Sequence, residues 1–88
     1  MNNMFKLEGD IMYIELPQGQ TQAELVSAAK TEIKSLIESG ALFGKNIKLN
    51  GRLTTGMALA LGHELAHVTK SVSIFDPKEN DYVLCITH

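Results

Sequence analysis

Apolar and polar residues alternate through Met4-Phe5-Lys6-Leu7-Glu8, and Ile11 to Leu16 continues the pattern after a Gly9-Asp10 turn. A period of two puts successive side chains on opposite faces of a strand, so these segments predict an antiparallel hairpin. Pro17-Gln18-Gly19-Gln20 breaks it. The period then changes. Leu25, Ala29, Ile33, Leu36 and Ile37 recur at helical spacing, behind Thr21-Gln22-Ala23-Glu24, a capping-box pattern in which a hydroxyl and a carboxylate serve each other's backbone N–H. Gly40 is the helix stop. The charged residues of this helix, Glu24, Lys30, Glu32, Lys34 and Glu38, read as a solvated face.

Beyond it, Ile47-Lys48-Leu49 predicts a third strand ended by Asn50-Gly51-Arg52, and a second helix spans about Thr54 to Val68. Ser71 to Phe75 forms a fourth strand, Asp76 to Asp81 a polar turn, and Tyr82 to Thr87 a fifth strand before His88. The order is β-β-α-β-α-β-β. Strand–helix–strand crossovers impose parallel pairing in the middle, and the terminal hairpins add antiparallel strands. The fold class is therefore α/β, a small mixed sheet with two crossover helices in a single domain. Ligands of such sheets collect beyond the carboxyl ends of the parallel strands. Here that place is the loop from Asn50 to Gly56 together with Asp76.

The second helix has two unlike sides. At about 100° per residue, Met57, Leu61, Leu65 and Val68 share one and supply its core contact. Opposite lie Gly56, Ala60, His63 and His67, a smooth strip that a second chain, a ligand or a metal can approach closely. His63-Glu64-Leu65-Ala66-His67 also matches H-E-x-x-H, in which two histidines one turn apart hold zinc and the glutamate acts on its water. Catalytic zinc takes three protein ligands. The extended motif fails because Lys70 and Ser73 occupy its glycine and histidine places, leaving only Asp76 or Glu79 downstream. The peptidase match reads as fortuitous.

Composition narrows the picture. A chain of 88 residues buries about 60–65% of its unfolded surface, enough for one modest core but not a deep private pocket. A net charge of −2 argues against general nucleic-acid binding through a basic face, while leaving room for a local anion site. Arg52 is the only arginine, and it lies in the loop expected to meet an anion. Its planar fork suits phosphate. The single cysteine, Cys85, lies in an apolar run and reads as a buried structural thiol. No signal core and no stretch of about 20 apolar residues is present, so the chain reads as cytoplasmic, with no membrane partner.

With "NGR" at 50–52, "HELAH" at 63–67, "DPK" at 76–78 and "VLCITH" at 83–88 in view, the segment 47–88 resembles the CRISPR-associated ring nucleases of type III systems called Csx-three. That family carries an Asn/Ser-Gly-Arg loop, a helix ending in histidines, an Asp-Pro-Arg after the next strand and a last strand closing on Ser-His. The N-terminal half matches in pattern alone, and Lys78 stands where arginine is usual. The resemblance implies a fold related to the CRISPR-associated Rossmann-like domain. It also implies a metal-dependent enzyme, manganese favoured, that binds and cleaves cyclic tetra-adenylate and so damps antiviral signalling. Such proteins form homodimers that sandwich the ring between stacked dimers. Similar proteins act as manganese-dependent RNA exonucleases, and a non-cleaving cyclic oligoadenylate-binding module is the neighbouring reading. Residue by residue, the resemblance assigns His67, Asp76 and Lys78 to catalysis. It assigns Asn50, Gly51, Arg52, Thr54 and Gly56 to ligand binding, Asp76 and His63 to the metal, and leaves a possible part for His88.

Overall fold

The computed structural model describes residues 4–87, so His88 lies outside the described residues. Seven elements follow the predicted order: β1 (Phe5–Glu8), β2 (Ile11–Ile14), α1 (Gln22–Glu38), β3 (Asn46–Gly51), α2 (Thr55–Ala66), β4 (Ser71–Asp76) and β5 (Asp81–Thr87). The strands form one sheet in the order β1-β2-β3-β4-β5. The inner pairs β2–β3 and β3–β4 are parallel, and the outer pairs β1–β2 and β4–β5 are antiparallel.

Both crossovers step to the next strand in the same direction. Right-handed connections of that kind put both helices on one face of the sheet, and burial agrees. Met12, Ile14, Ile47, Leu49 and Val72 are buried, whereas the alternate positions Tyr13 and Lys48 are exposed. From the helices, Leu25, Ala29, Ile33, Met57, Leu61 and Leu65 close the core, with Leu42 of the α1–β3 connection fully buried beside them. Truncating a fully buried leucine such as Leu61 in so small a core costs about 2–5 kcal/mol. Among the described residues only one face of the sheet is covered.

The first helix begins as its sequence predicts. The Thr21 hydroxyl accepts from the Glu24 N–H at 3.1 Å, and the Glu24 carboxylate accepts from the Thr21 N–H at 2.8 Å. Gly40 follows the Ser39 cap with φ of 80°, the left-handed turn a glycine takes without penalty. Glu32 departs from the solvated-face reading. Its carboxylate accepts from the backbone N–H of Met4 at 2.9 Å and of Phe5 at 2.8 Å, tying α1 to the edge strand β1.

One further expectation is corrected and a second is extended. Cys85 is exposed, because β5 is an edge strand rather than an inner one. Its pairing with β4 is interrupted there: Val72 faces Ile86 and Ser73 faces Leu84, leaving Cys85 as the extra residue of a bulge. Gly56 borders an open groove with Ala60 and His63, as the strip reading has it, but it is also pressed against α1. A Cβ on it would meet Gln22 Oε1 and Val26 Cγ2 at 3.0 Å each, so the first turn of α2 packs directly on α1. No helix among the described residues is long and apolar enough to cross a membrane.

Candidate functional site

The carboxyl end of the sheet gathers the ends of β2, β3 and β4 at Ile14, Gly51 and Asp76, together with the start of each helix. Asn50, Gly51, Arg52, Thr54, Gly56, Asp76 and Lys78 therefore belong to one end of the molecule, as the loop positions suggest. Most of them have structural duties there. Gly51 has φ of 129°, and a Cβ on it would overlap the carbonyl oxygen of Ile14, so the parallel pairing of β2 with β3 depends on a bare backbone. Thr54 caps α2 by accepting from the Met57 N–H at 3.2 Å, and its hydroxyl donates to Gln22 Oε1 of α1. Asn50 donates its amide to the Tyr82 hydroxyl at 2.8 Å. Asp76 Oδ1 accepts from the Lys78 N–H at 2.9 Å, folding the β4–β5 turn.

Arg52 is the exception. It is exposed, and among the described residues its guanidinium makes no ion pair or hydrogen bond. It offers a planar cation at the rim of this end, and the neighbouring β4–β5 turn carries the Lys78 ammonium together with the carboxylates of Asp76, Glu79 and Asp81.

The histidines lie elsewhere. A helix joining two parallel strands runs back against them, so α2 begins at the carboxyl end and finishes at the amino end of β4. His67 is its C-cap, four residues before β4 opens at Ser71. Asp76 is the last residue of that strand, so one full strand length, roughly 17 Å at 3.3 Å per residue, separates the two positions along the sheet. One chain does not bring His67 to Asp76 and Lys78.

His63 and His67 are both exposed, and their rings meet edge to face with centroids 4.9 Å apart. His63 and Ala60 border an open groove of about 520 Å³ between the helices, with Val26, Lys30 and Glu64 on its walls. Among the described residues no three His, Cys, Asp or Glu side chains form a group that could hold a metal ion. The pairing of His63 with Asp76 does not fit a metal within one chain, and neither does a zinc site built on HELAH.

The uncovered face holds a constellation that the reading of motifs missed. By register, Lys6, Tyr13 and Asn50 stand side by side across β1, β2 and β3, and Phe75 pairs with Tyr82 across β4 and β5. The Phe75 and Tyr82 rings meet edge to face at 5.4 Å, and Lys48 Nζ stands 5.6 Å from the Tyr82 ring centroid. The signal was present in the strand periodicity. The strand positions alternating with the core carry Tyr13, Phe75 and Tyr82 where small polar residues would serve a solvated face.

No family model matches this chain, and neither do the curated proteins or the solved structures.

Proposed function

We propose that the chain is a ring nuclease, a phosphodiesterase that binds cyclic tetra-adenylate at the carboxyl end of its sheet and opens it to linear oligoadenylates. That activity would damp type III CRISPR antiviral signalling. The observation that carries the reading is Arg52, the only arginine, presented uncommitted at the end where α/β sheets take ligands. Its fork grips a phosphate, Lys78 adds charge, and backbone N–H groups at the start of α2 add neutral donors. A ring of four adenylates repeats its phosphates, so a two-fold homodimer meets it with the same donors twice.

The proton transfers need a second copy. A ribose 2′-hydroxyl or a water forms the new P–O bond, one phosphodiester P–O bond breaks, and the leaving oxygen takes a proton. His67 suits that transfer chemically. It reaches the phosphate only from another chain, with the amino end of one copy set against the carboxyl end of the next, as stacking of dimers around the ligand provides. Among the described residues no group converges on a metal, so manganese enters as a condition of the assay and no step is routed through it.

The separation of His67 from Asp76 also favours a second reading, a module that binds the ring and leaves it intact. One experiment separates the two. The purified protein is incubated with cyclic tetra-adenylate, with and without manganese, and the products are resolved by liquid chromatography and mass spectrometry. Linear adenylates support the nuclease. Intact ring recovered from a tight complex leaves the binding module, and absence of both binding and cleavage overturns both readings. Early products of unchanged mass that carry a 2′,3′-cyclic phosphate identify the 2′-hydroxyl as the nucleophile, and products heavier by one water from the earliest times, with no cyclic phosphate before them, identify water.

A further inference from the structure

The uncovered face of the sheet meets the Arg52 loop along β3, where Asn50 on that face is two residues from Arg52. The side chains next to that junction are aromatic or cationic: Tyr13, Phe75, Tyr82, Lys48 and Lys6. Tyr82 is not loose. Its hydroxyl is held by the Asn50 amide at 2.8 Å and its ring abuts Phe75. Tyr13 is exposed and forms a wall of an open depression of about 330 Å³ that Lys6 and Glu15 also line, with room for a planar heterocycle.

We infer that this face is a base platform: adenine rings of a bound adenylate lie on Tyr13 and on the Phe75–Tyr82 pair while its phosphates turn over the β3 end to Arg52. The inference rests on the nucleotide reading above and says where the other half of the ligand goes.

Three observations favour a nucleotide over a second copy of the chain on this face. Its cation Lys48 makes no ion pair among the described residues, whereas Lys6 is balanced by Glu8 at 3.2 Å. A polyanion neutralises that ammonium, whereas a second copy of this face adds one more uncompensated Lys48 to the contact. Aromatic side chains interleaved with cations on an open sheet give bases a π-surface and phosphates a counter-charge at once. The held Asn50 amide keeps its carbonyl oxygen free to accept from an adenine amino group at the centre of the row.

The test compares wild type with Tyr13→Ala and Arg52→Ala by isothermal calorimetry, using cyclic tetra-adenylate, a linear oligoadenylate and inorganic tripolyphosphate. Sedimentation velocity follows the assembly of each variant. Tyr13→Ala is expected to weaken both adenylates about ten-fold and leave tripolyphosphate unchanged, whereas Arg52→Ala weakens all three. Tyr82→Phe, which keeps the ring and loses the hydroxyl, is expected to retain at least half the adenylate affinity. Adenylate binding that ignores Tyr13→Ala overturns the platform, as does a Tyr13→Ala change that dissociates the assembly and leaves adenylate affinity intact. Tyr13-dependent binding of the linear oligomer with an uncleaved or unbound ring would keep the platform and remove the ring-nuclease reading. Absence of any adenylate binding by wild type overturns both.

Discussion

Gly51 stands against Ile14 with no room for a side chain: the Ile14 carbonyl carbon and amide nitrogen are each 3.1 Å from where a Cβ would be, and the carbonyl oxygen is closer still. The glycine of the Asn-Gly-Arg loop is thus required by strand pairing, whatever the loop binds. Gly51→Ala must also hold alanine at φ of 129°. We expect it to lower unfolding free energy on the order of 3 kcal/mol, read as a reduced urea midpoint without ligand. A variant as stable as wild type would transfer the glycine's purpose to the ligand.

Arg52 and His67 at opposite ends of one chain make complementation a direct test of a shared site. Arg52→Ala and His67→Ala are each expected to be inactive alone, by loss of grip and of proton transfer. Mixed and allowed to exchange subunits, they are expected to recover ring cleavage, because some junctions then pair an intact Arg52 with an intact His67. Product formation by the mixture, measured against each variant alone, decides it; no recovery would mean that a single chain must carry both groups.

The Glu32 carboxylate serves two backbone donors of the N-terminal edge. Glu32→Ala leaves both N–H groups without that partner and is expected to cost about 2 kcal/mol. Glu32→Gln, which keeps an acceptor and loses the charge, should cost less. Amide exchange at Met4 and Phe5 should accelerate in both while the protection of β3 stays unchanged.

Exposure of Cys85 makes the thiol accessible in the native state. Stoichiometric reaction with a thiol reagent under native conditions is expected at a rate close to that in denaturant. Slow labelling that follows global unfolding would return Cys85 to an interior or a subunit contact.

The seven elements and their order were legible because each rests on a local signal: alternation for Phe5–Glu8, a capping box at Thr21, and turn residues at Gly9 and Asn50-Gly51. The gathering of Asn50, Arg52 and Asp76 at one end of the sheet was legible too, since crossovers alone place them together. Four features needed the sheet. Cys85 sits in an apolar run that reads the same on an inner or an edge strand, and only strand order distinguishes them. Glu32 has helical surface spacing, yet finds its partners 27 and 28 residues away, at the first residue of β1 and the one before it. The separation of His67 from Asp76 follows from the reversed direction of a crossover helix, which motif spacing along a line does not express. The aromatic row on the bare face was hidden for the same reason: Tyr13, Phe75 and Tyr82 share one face, with Asn50 between Tyr13 and the pair, only after registration.

The strand order β1-β2-β3-β4-β5 is also the order of synthesis. No strand has to be inserted between two already paired, and every crossover closes onto the strand laid down just before it. A chain leaving the ribosome can therefore extend its sheet at a single growing edge, each helix arriving in time to cover the strands it follows. Each parallel closure spans a single strand–helix–strand unit, with Ile11 pairing Lys48 and Asn46 pairing Ser71, rather than the whole chain. Among the described strands β5 is the last to arrive and lies at one edge of the sheet, with β1 at the other, so the growing edge of the nascent chain is still an edge when Thr87 is added.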